Sequence, residues 1–196
     1  MIGIITYGAG NIFSLTAALE RLGIPYGMIT KEEDFEQYDR YIIPGVGHAG
    51  AAMAKLEHTG LVPKIKALNK PTLGICVGMQ LLTEHSEEGD ANMLGIFPIN
   101  TLKFDGNTEF KVPHTGWNQV YSEKENKLFK NIPNGSHFYF VHSYFIEYNI
   151  AYTLSTTTYS IKFSASIMRD NFYGVQFHPE KSGAHGETLL TNFSKL

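Results

Sequence analysis

The chain carries one cysteine in 196 residues. No internal disulfide can form, and a multi-cysteine metal site is excluded. Its 16 Lys and Arg residues are scattered, and the formal net charge is -3. No basic stripe exists to neutralise phosphates, so nucleic-acid binding is not expected. Long hydrophobic runs are missing as well, and no segment approaches membrane-spanning length, so no membrane role is expected. The opening, MIGIITYGAGN, has a short apolar run without a basic leader and reads as a first strand, not a secretory signal. With the single thiol, this points to a cytoplasmic protein. Eight His are present, but no His-x-x-x-His pair occurs, and neither metal nor cofactor is expected. Repeats, low-complexity tracts and composition breaks are lacking too.

What remains is an ordinary globular composition, 43% hydrophobic and 18% charged. The length suits one compact domain, 1–196, and is short for two. The first half alternates strand and helix signals. Residues 2–6 read as a buried strand, followed by the turn Gly8-Ala9-Gly10. Asn11 can cap a helix with Ile12, Leu15, Leu19 and Leu22 at helical spacing, ended by Gly23. Strands follow at 25–30 and 41–43, separated by an acidic, exposed stretch. Helical segments at 51–57 and 62–68 precede a fourth strand at 71–75, then a helix over about 77–85. The second half is rich in β-branched and aromatic residues, with strands expected at 96–104, 117–121, 138–148, 152–158, 160–169 and 172–177. Asp170-Asn171 reads as a hairpin turn. Leu189, Leu190 and Phe193 share one face of a last helix. The pattern predicts a single-domain α/β fold: a mixed, mostly parallel sheet with helices on both faces and additional antiparallel strands in the second half.

Two segments can carry chemistry. In Gly74-Ile75-Cys76-Val77-Gly78-Met79-Gln80 a strand ends at Cys76 and a helix begins at once. Small neighbours permit the sharp turn that lifts a nucleophile out of a sheet. Free amides and the dipole at a helix start favour a thiolate, and the Val77 amide would face an oxyanion formed beside the sulfur. A buried core cysteine is the competing reading. In Gly174-Val175-Gln176-Phe177-His178-Pro179-Glu180 a strand delivers His178 to a sheet edge. Pro179 would keep the backbone extended, so that 178 and 180 point the same way. Glu180 could then accept the imidazole N–H and fix its tautomer. A loop His beside a surface Glu is the plainer alternative. Pro44-Gly45-Val46-Gly47 also follows a strand and either donates an amide to the oxyanion or is simply a tight turn. Gly8-Ala9-Gly10-Asn11 lacks the full Gly-x-Gly-x-x-Gly spacing, since Phe13 takes the third place, and reads as a packing turn.

Pro-Gly-Val-Gly, Gly-Ile-Cys-Val-Gly-Met-Gln and Gly-Val-Gln-Phe-His-Pro-Glu, in this order, resemble the signature segments of the class I, triad-type glutamine amidotransferases. Further segments narrow the resemblance: Thr6 to Asn11, Val112 to Asn118, Tyr139 to Tyr144, and Lys181-Ser182-Gly183. They are similar to the glutaminase subunits of imidazole glycerol phosphate synthase, over nearly the whole chain. The resemblance implies a flavodoxin-like amidotransferase fold and a catalytic triad of Cys76, His178 and Glu180. It implies an oxyanion hole at Val46, Gly47 and Val77, and an L-glutamine pocket lined by Gln80, Glu88, His142, Ser143 and Tyr144. The implied partner is a cyclase subunit, bound as a heterodimer near 113–118, that takes the ammonia for histidine biosynthesis. Thr6 stands where this family commonly has Asp, and Thr115 where a larger apolar residue is usual. A different synthetase as ammonia acceptor, or a catalytically silent regulatory subunit, are the alternatives weighed.

Overall fold

The computed structural model describes residues 1–106 and 110–196. Its first half alternates strand and helix: β1 (Ile2–Ile5), α1 (Ile12–Arg21), β2 (Tyr26–Ile29), β3 (Arg40–Gly45), α2 (Ala49–His58), α3 (Val62–Lys66), β4 (Thr72–Cys76) and α4 (Val77–Gln80). The second half is largely strand: β5 (His85–Ser86), β6 (Ala91–Asn92), β7 (Asn100–Lys103), β8 (His114–Ser122), β9 (Ser136–His142), β10 (Tyr144–Ile146), β11 (Thr153–Tyr159), β12 (Ile161–Arg169) and β13 (Phe172–Val175). Helix α5 (Gly183–Phe193) follows. Asn11 caps α1 by accepting from the Ser14 N–H, and Gly23 turns the chain out of the helix at φ +64°.

β2, β1, β3, β4 and β13 lie parallel in that order. Every residue of β1 and β4 is buried, the pattern of strands covered on both faces. The step from β1 through α1 to β2 runs along the sheet in the opposite direction to the step from β3 through α2 and α3 to β4. Right-handed crossovers therefore put α1 on one face and α2 with α3 on the other. Beyond β13 the pairing turns antiparallel, through β12 and then β10, β11, β8 and β9. The sheet is mixed as expected, with more antiparallel pairing than a mostly parallel sheet implies. Asp170, at φ +53°, and Asn171 make the two-residue turn between β12 and β13. One apolar core runs through both halves, from Ile4 and Leu73 to Phe140 and Phe163. Among the described residues no helix is long and apolar enough to cross a membrane.

Three local expectations need correction. The helix over 77–85 is a single turn, α4, and His85 already belongs to β5. The strand over 138–148 is two strands that part at Ser143, because β9 pairs with β8 whereas β10 pairs with β7 and β12. The acidic stretch after β2 keeps Glu32, Glu33 and Glu36 exposed as expected, but it forms a 3-10 turn, Glu32–Gln37, which buries Phe35 against the core.

Candidate active site

The turn from β4 into α4 is held by absent side chains. A Cβ on Gly78 would run into the Ile43 carbonyl, and one on Gly45 would stand 2.5 Å from the Gly78 nitrogen. With those volumes empty, α4 packs directly onto the ends of β3 and β4. Cys76, at the junction, has φ +54° and ψ -111°, a region that L-residues rarely occupy. The parallel register sets Gly45 beside Cys76 and Val175 beside Ile75. The Pro44 to Gly47 turn, the sulfur and the residues after β13 therefore share one end of the sheet, the carboxyl end, where open α/β sheets hold their ligands.

His178 follows β13, and its N–H donates to the Tyr139 carbonyl at 2.9 Å. The route to Glu180 differs from the extended backbone expected. Pro179–Lys181 form one 3-10 turn with His178 as its cap, and the Lys181 N–H donates to the His178 carbonyl. Proline's fixed φ suits the first position of such a turn. The turn folds Glu180 back so that Oε1 lies 2.7 Å from His178 Nδ1, both side chains almost fully buried. An acidic acceptor at that distance sets the neutral ring as Nδ1–H and leaves Nε2 as its basic nitrogen. Burial works against a charged ring here, but the Cys76 sulfur and the Glu180 carboxylate outweigh it and raise the His178 pKa to about 10. Among the described residues Oε2 of Glu180 is buried without a hydrogen-bond partner, and the Cys76 sulfur contributes to the raised His178 pKa by charge and by hydrogen bonding.

Val46, Gly47, Cys76, Val77, Gln80, Glu88, His142, Ser143, Tyr144 and His178 line one cavity of about 280 Å³, joined by Pro113 and Val141. Glu180 lies behind His178. Within this wall Gln80, Glu88 and His142 already hold hydrogen bonds to other protein groups. Gln80 Nε2 donates to the Tyr144 carbonyl and to Gln176 Oε1, each at 3.1 Å. Glu88 Oε2 accepts from the Ala49 N–H at the start of α2, at 2.6 Å. Both ring nitrogens of His142 are engaged by protein atoms, so position 142 offers a ligand its backbone and ring edge, not a ring nitrogen. Tyr7 lies beneath the Pro44 turn and donates its hydroxyl to the Pro44 carbonyl. Burial, then the nearby Cys76, push the Tyr7 phenol far up, so it stays a neutral donor. Of the two departures, Thr6 donates to the Ile29 carbonyl and Thr115 is exposed; neither lines the cavity.

Three residues were missed in the sequence. Gln176, fully buried, donates from Nε2 toward Cys76 Sγ at 3.8 Å while accepting from Gln80. Its place one residue beyond β13, level with Cys76, is a register fact that strand alternation alone does not supply. Ser182 donates to the His178 carbonyl at 2.6 Å and accepts from the Tyr139 N–H, clamping the His178 backbone. His114 meets His142 at 2.9 Å. Among the described residues no group of three or more His, Cys, Asp or Glu could hold a metal ion.

A thiol on a strained backbone, an imidazole and a carboxylate at the carboxyl end of one sheet, with a small cavity in front, are the groups that thiol acyl transfer requires. The family model "Glutamine amidotransferase class-I" matches residues 4–196. The chain belongs to the class I glutamine amidotransferases. Among its relatives, "Imidazole glycerol phosphate synthase subunit HisH" of Bacteroides thetaiotaomicron is 43% identical over 196 residues, 100% of this chain and 99% of that protein. "Imidazole glycerol phosphate synthase subunit HisH 2" of Campylobacter jejuni is 45% identical over 192 residues, covering 98% and 96%. A crystal structure of a glutamine amidotransferase superposes with a TM-score of 0.76 at 16% identity, covering 99% of this chain and 97% of that one, and so shares the fold.

Proposed function

We propose that this chain hydrolyses L-glutamine to L-glutamate and passes the ammonia to a cyclase subunit, the two together forming a cytoplasmic imidazole glycerol phosphate synthase of histidine biosynthesis. The observation that carries the reading is Cys76, at the carboxyl end of β4, on the wall of the same cavity as His178, whose Nδ1 lies 2.7 Å from Glu180 Oε1. The full-length relatives, named as subunits of that synthase, support the choice of partner over a different synthetase. The three intact triad residues speak against a silent regulatory subunit.

In this reading the Cys76 thiolate attacks the side-chain amide carbon of glutamine. The carbonyl electron pair moves onto oxygen, where amides of Val77 and of the Val46-Gly47 turn would stabilise it. Collapse breaks the C–N bond, and His178 Nε2–H gives its proton to the departing nitrogen, leaving a glutamyl thioester and ammonia. The neutral ring then takes a proton from water, which attacks the thioester; the sulfur leaves as thiolate and glutamate is released. Glu180 keeps Nδ1 protonated throughout, so that Nε2 is the nitrogen that exchanges protons. Glu88 would face the substrate's ammonium group, and backbone at Ser143 its carboxylate.

Two measurements test this. Cys76→Ala should lower glutamine hydrolysis by on the order of thousands-fold while the protein stays folded, because the covalent nucleophile is gone. Substantial residual turnover would rule out the thioester route. Wild-type chain should be weakly active alone and gain activity when the cyclase and its nucleotide substrate are added; full activity without them would argue against coupling.

A further inference from the structure

The cavity wall formed by residues 141–144 rests on a chain of hydrogen bonds, buried at the His114–His142 contact and reaching the surface at Asn118, whose direction is forced from both ends. At the inner end, the Tyr144 carbonyl can only accept, so His142 Nδ1, 2.7 Å away, carries the proton. The other nitrogen of a neutral His142 ring is then an acceptor, and His114 Nδ1, 2.9 Å from it, must donate. His114 Nε2 is left as an acceptor for Asn118 Nδ2 at 3.3 Å. At the outer end the Asn118 amide is oriented independently. Its Nδ2 also donates to the Thr158 carbonyl at 3.0 Å, and its Oδ1 accepts from the Gln119 N–H at 2.8 Å. The two ends agree on one set of tautomers.

We infer that His114 is a positioning residue for glutamine binding: its Nδ1–H holds His142 in the tautomer that pins the Tyr144 carbonyl, and thereby sets the Ser143-Tyr144 backbone of the pocket. This rests on the glutamine-pocket reading above. The Tyr144 carbonyl is the point where the chain meets the other wall, since it also accepts from Gln80. Ser143 is the residue at which β9 and β10 part; its carbonyl accepts from the Phe104 N–H at 3.2 Å, and the side-chain anchor on the Tyr144 carbonyl adds to that backbone contact. The His114 ring is itself clamped between Tyr159, at 4.0 Å and 17°, and Phe140, at 4.9 Å and 21°. Burial keeps both rings uncharged, with pKa values lowered to about 4 for His114 and about 3 for His142, so the tautomer chain persists through neutral pH.

Two substitutions separate hydrogen bonding from packing. His114→Asn keeps an N–H donor near the Nδ1 position and loses the ring; His114→Phe keeps a ring to stack on Tyr159 and Phe140 and loses the donor. In the glutaminase assay with partner added, Phe should raise KM for glutamine about tenfold, the scale of one buried hydrogen bond, with kcat within about threefold. Asn should hold KM within about threefold of wild type by the same measure. The reverse order, unchanged values in both, or a fall in kcat alone would overturn the assignment. Long-range ¹H–¹⁵N ring correlations of the wild-type chain give a readout that needs no variant to fold and no substrate. Finding both rings as Nδ1–H supports the inference, and finding His142 as Nε2–H overturns it. A wild-type chain with no glutaminase activity would defeat the proposed function, while the ring correlations would still report on the hydrogen-bond chain.

Discussion

At Cys76 the backbone is strained, at φ +54°, and a cost of about 1–3 kcal/mol is expected for such a residue. Gly45, Gly74 and Gly78 leave room for the turn that follows it to pack onto β3 and β4, and the buried Gln176 amide donates toward its sulfur. Cys76 is buried in the core cluster and also lines the cavity. The charged imidazole beside it has a signature in stability. Burial opposes the charge on His178, but Cys76 and Glu180 raise its pKa from 6.5 to about 10 in the folded chain. Below about 6.5 the ring is protonated whether folded or unfolded, and the stabilisation is complete. Between 6.5 and about 10 the folded state holds a proton that the unfolded state has lost, so stability falls as pH rises through that window. Cys76→Ala removes the first of the raising causes, and its unfolding midpoint should decline less steeply over the same interval. Parallel declines in denaturation series from pH 7 to about 10 would show that sulfur and ring are uncoupled.

The elements around the site are fixed by close contact between backbones, which makes glycine the informative residue there. Gly78→Ala puts a methyl group against the Ile43 carbonyl, a rigid strand atom that cannot swing aside. A loss of about 3 kcal/mol or more is expected, with a fall in melting temperature on the order of 10 °C. An unchanged melting temperature would mean that α4 does not sit tightly on β3. Much of this was legible in the sequence: β1, β3, β4, α1 and α2 follow from apolar periodicity and caps, and the turn at Cys76 from its glycines. The rest depends on partners distant along the chain. A helix continuing past Gln80 would need the carbonyls of Leu81, Leu82 and Thr83, but these accept from Leu94, Phe97 and Gly95. The 3-10 turn that swings Glu180 onto His178 is closed by Lys181 and anchored by Ser182, which also accepts from Tyr139. Nothing local in His-Pro-Glu distinguishes it from an extended run. His114 and His142 lie 28 residues apart and meet only because β8 and β9 pair with those two residues in register.

For the molecule as a whole, what matters is which end of the sheet stays open. The carboxyl ends of β3 and β4, together with the residues after β13, line the candidate cavity, and large apolar side chains are left uncovered around the same end. Phe13, at the start of α1, is 82% exposed; Val46 is 39% exposed; Trp117, on β8, is 56% exposed and stands edge-on to Tyr139, whose backbone holds His178. A protein that works alone has little reason to expose such side chains beside the cavity that holds Cys76, whereas a subunit proposed to hand on ammonia shielded from water needs its partner seated there. Aromatic residues in such positions supply much of the binding energy of an interface. Trp117→Ala should therefore weaken binding to the cyclase by about ten- to a hundredfold. Glutamine hydrolysis at saturating partner should recover, because the indole is outside the cavity lining. Ile150 is 76% exposed and lies on the loop before β11, beside Lys124 and beyond the other end of β8. Ile150→Ser should leave the affinity unchanged. Titration calorimetry of the two variants distinguishes the faces, and tight binding by Trp117→Ala together with weakened binding by Ile150→Ser would place the cyclase on a surface remote from the thiol.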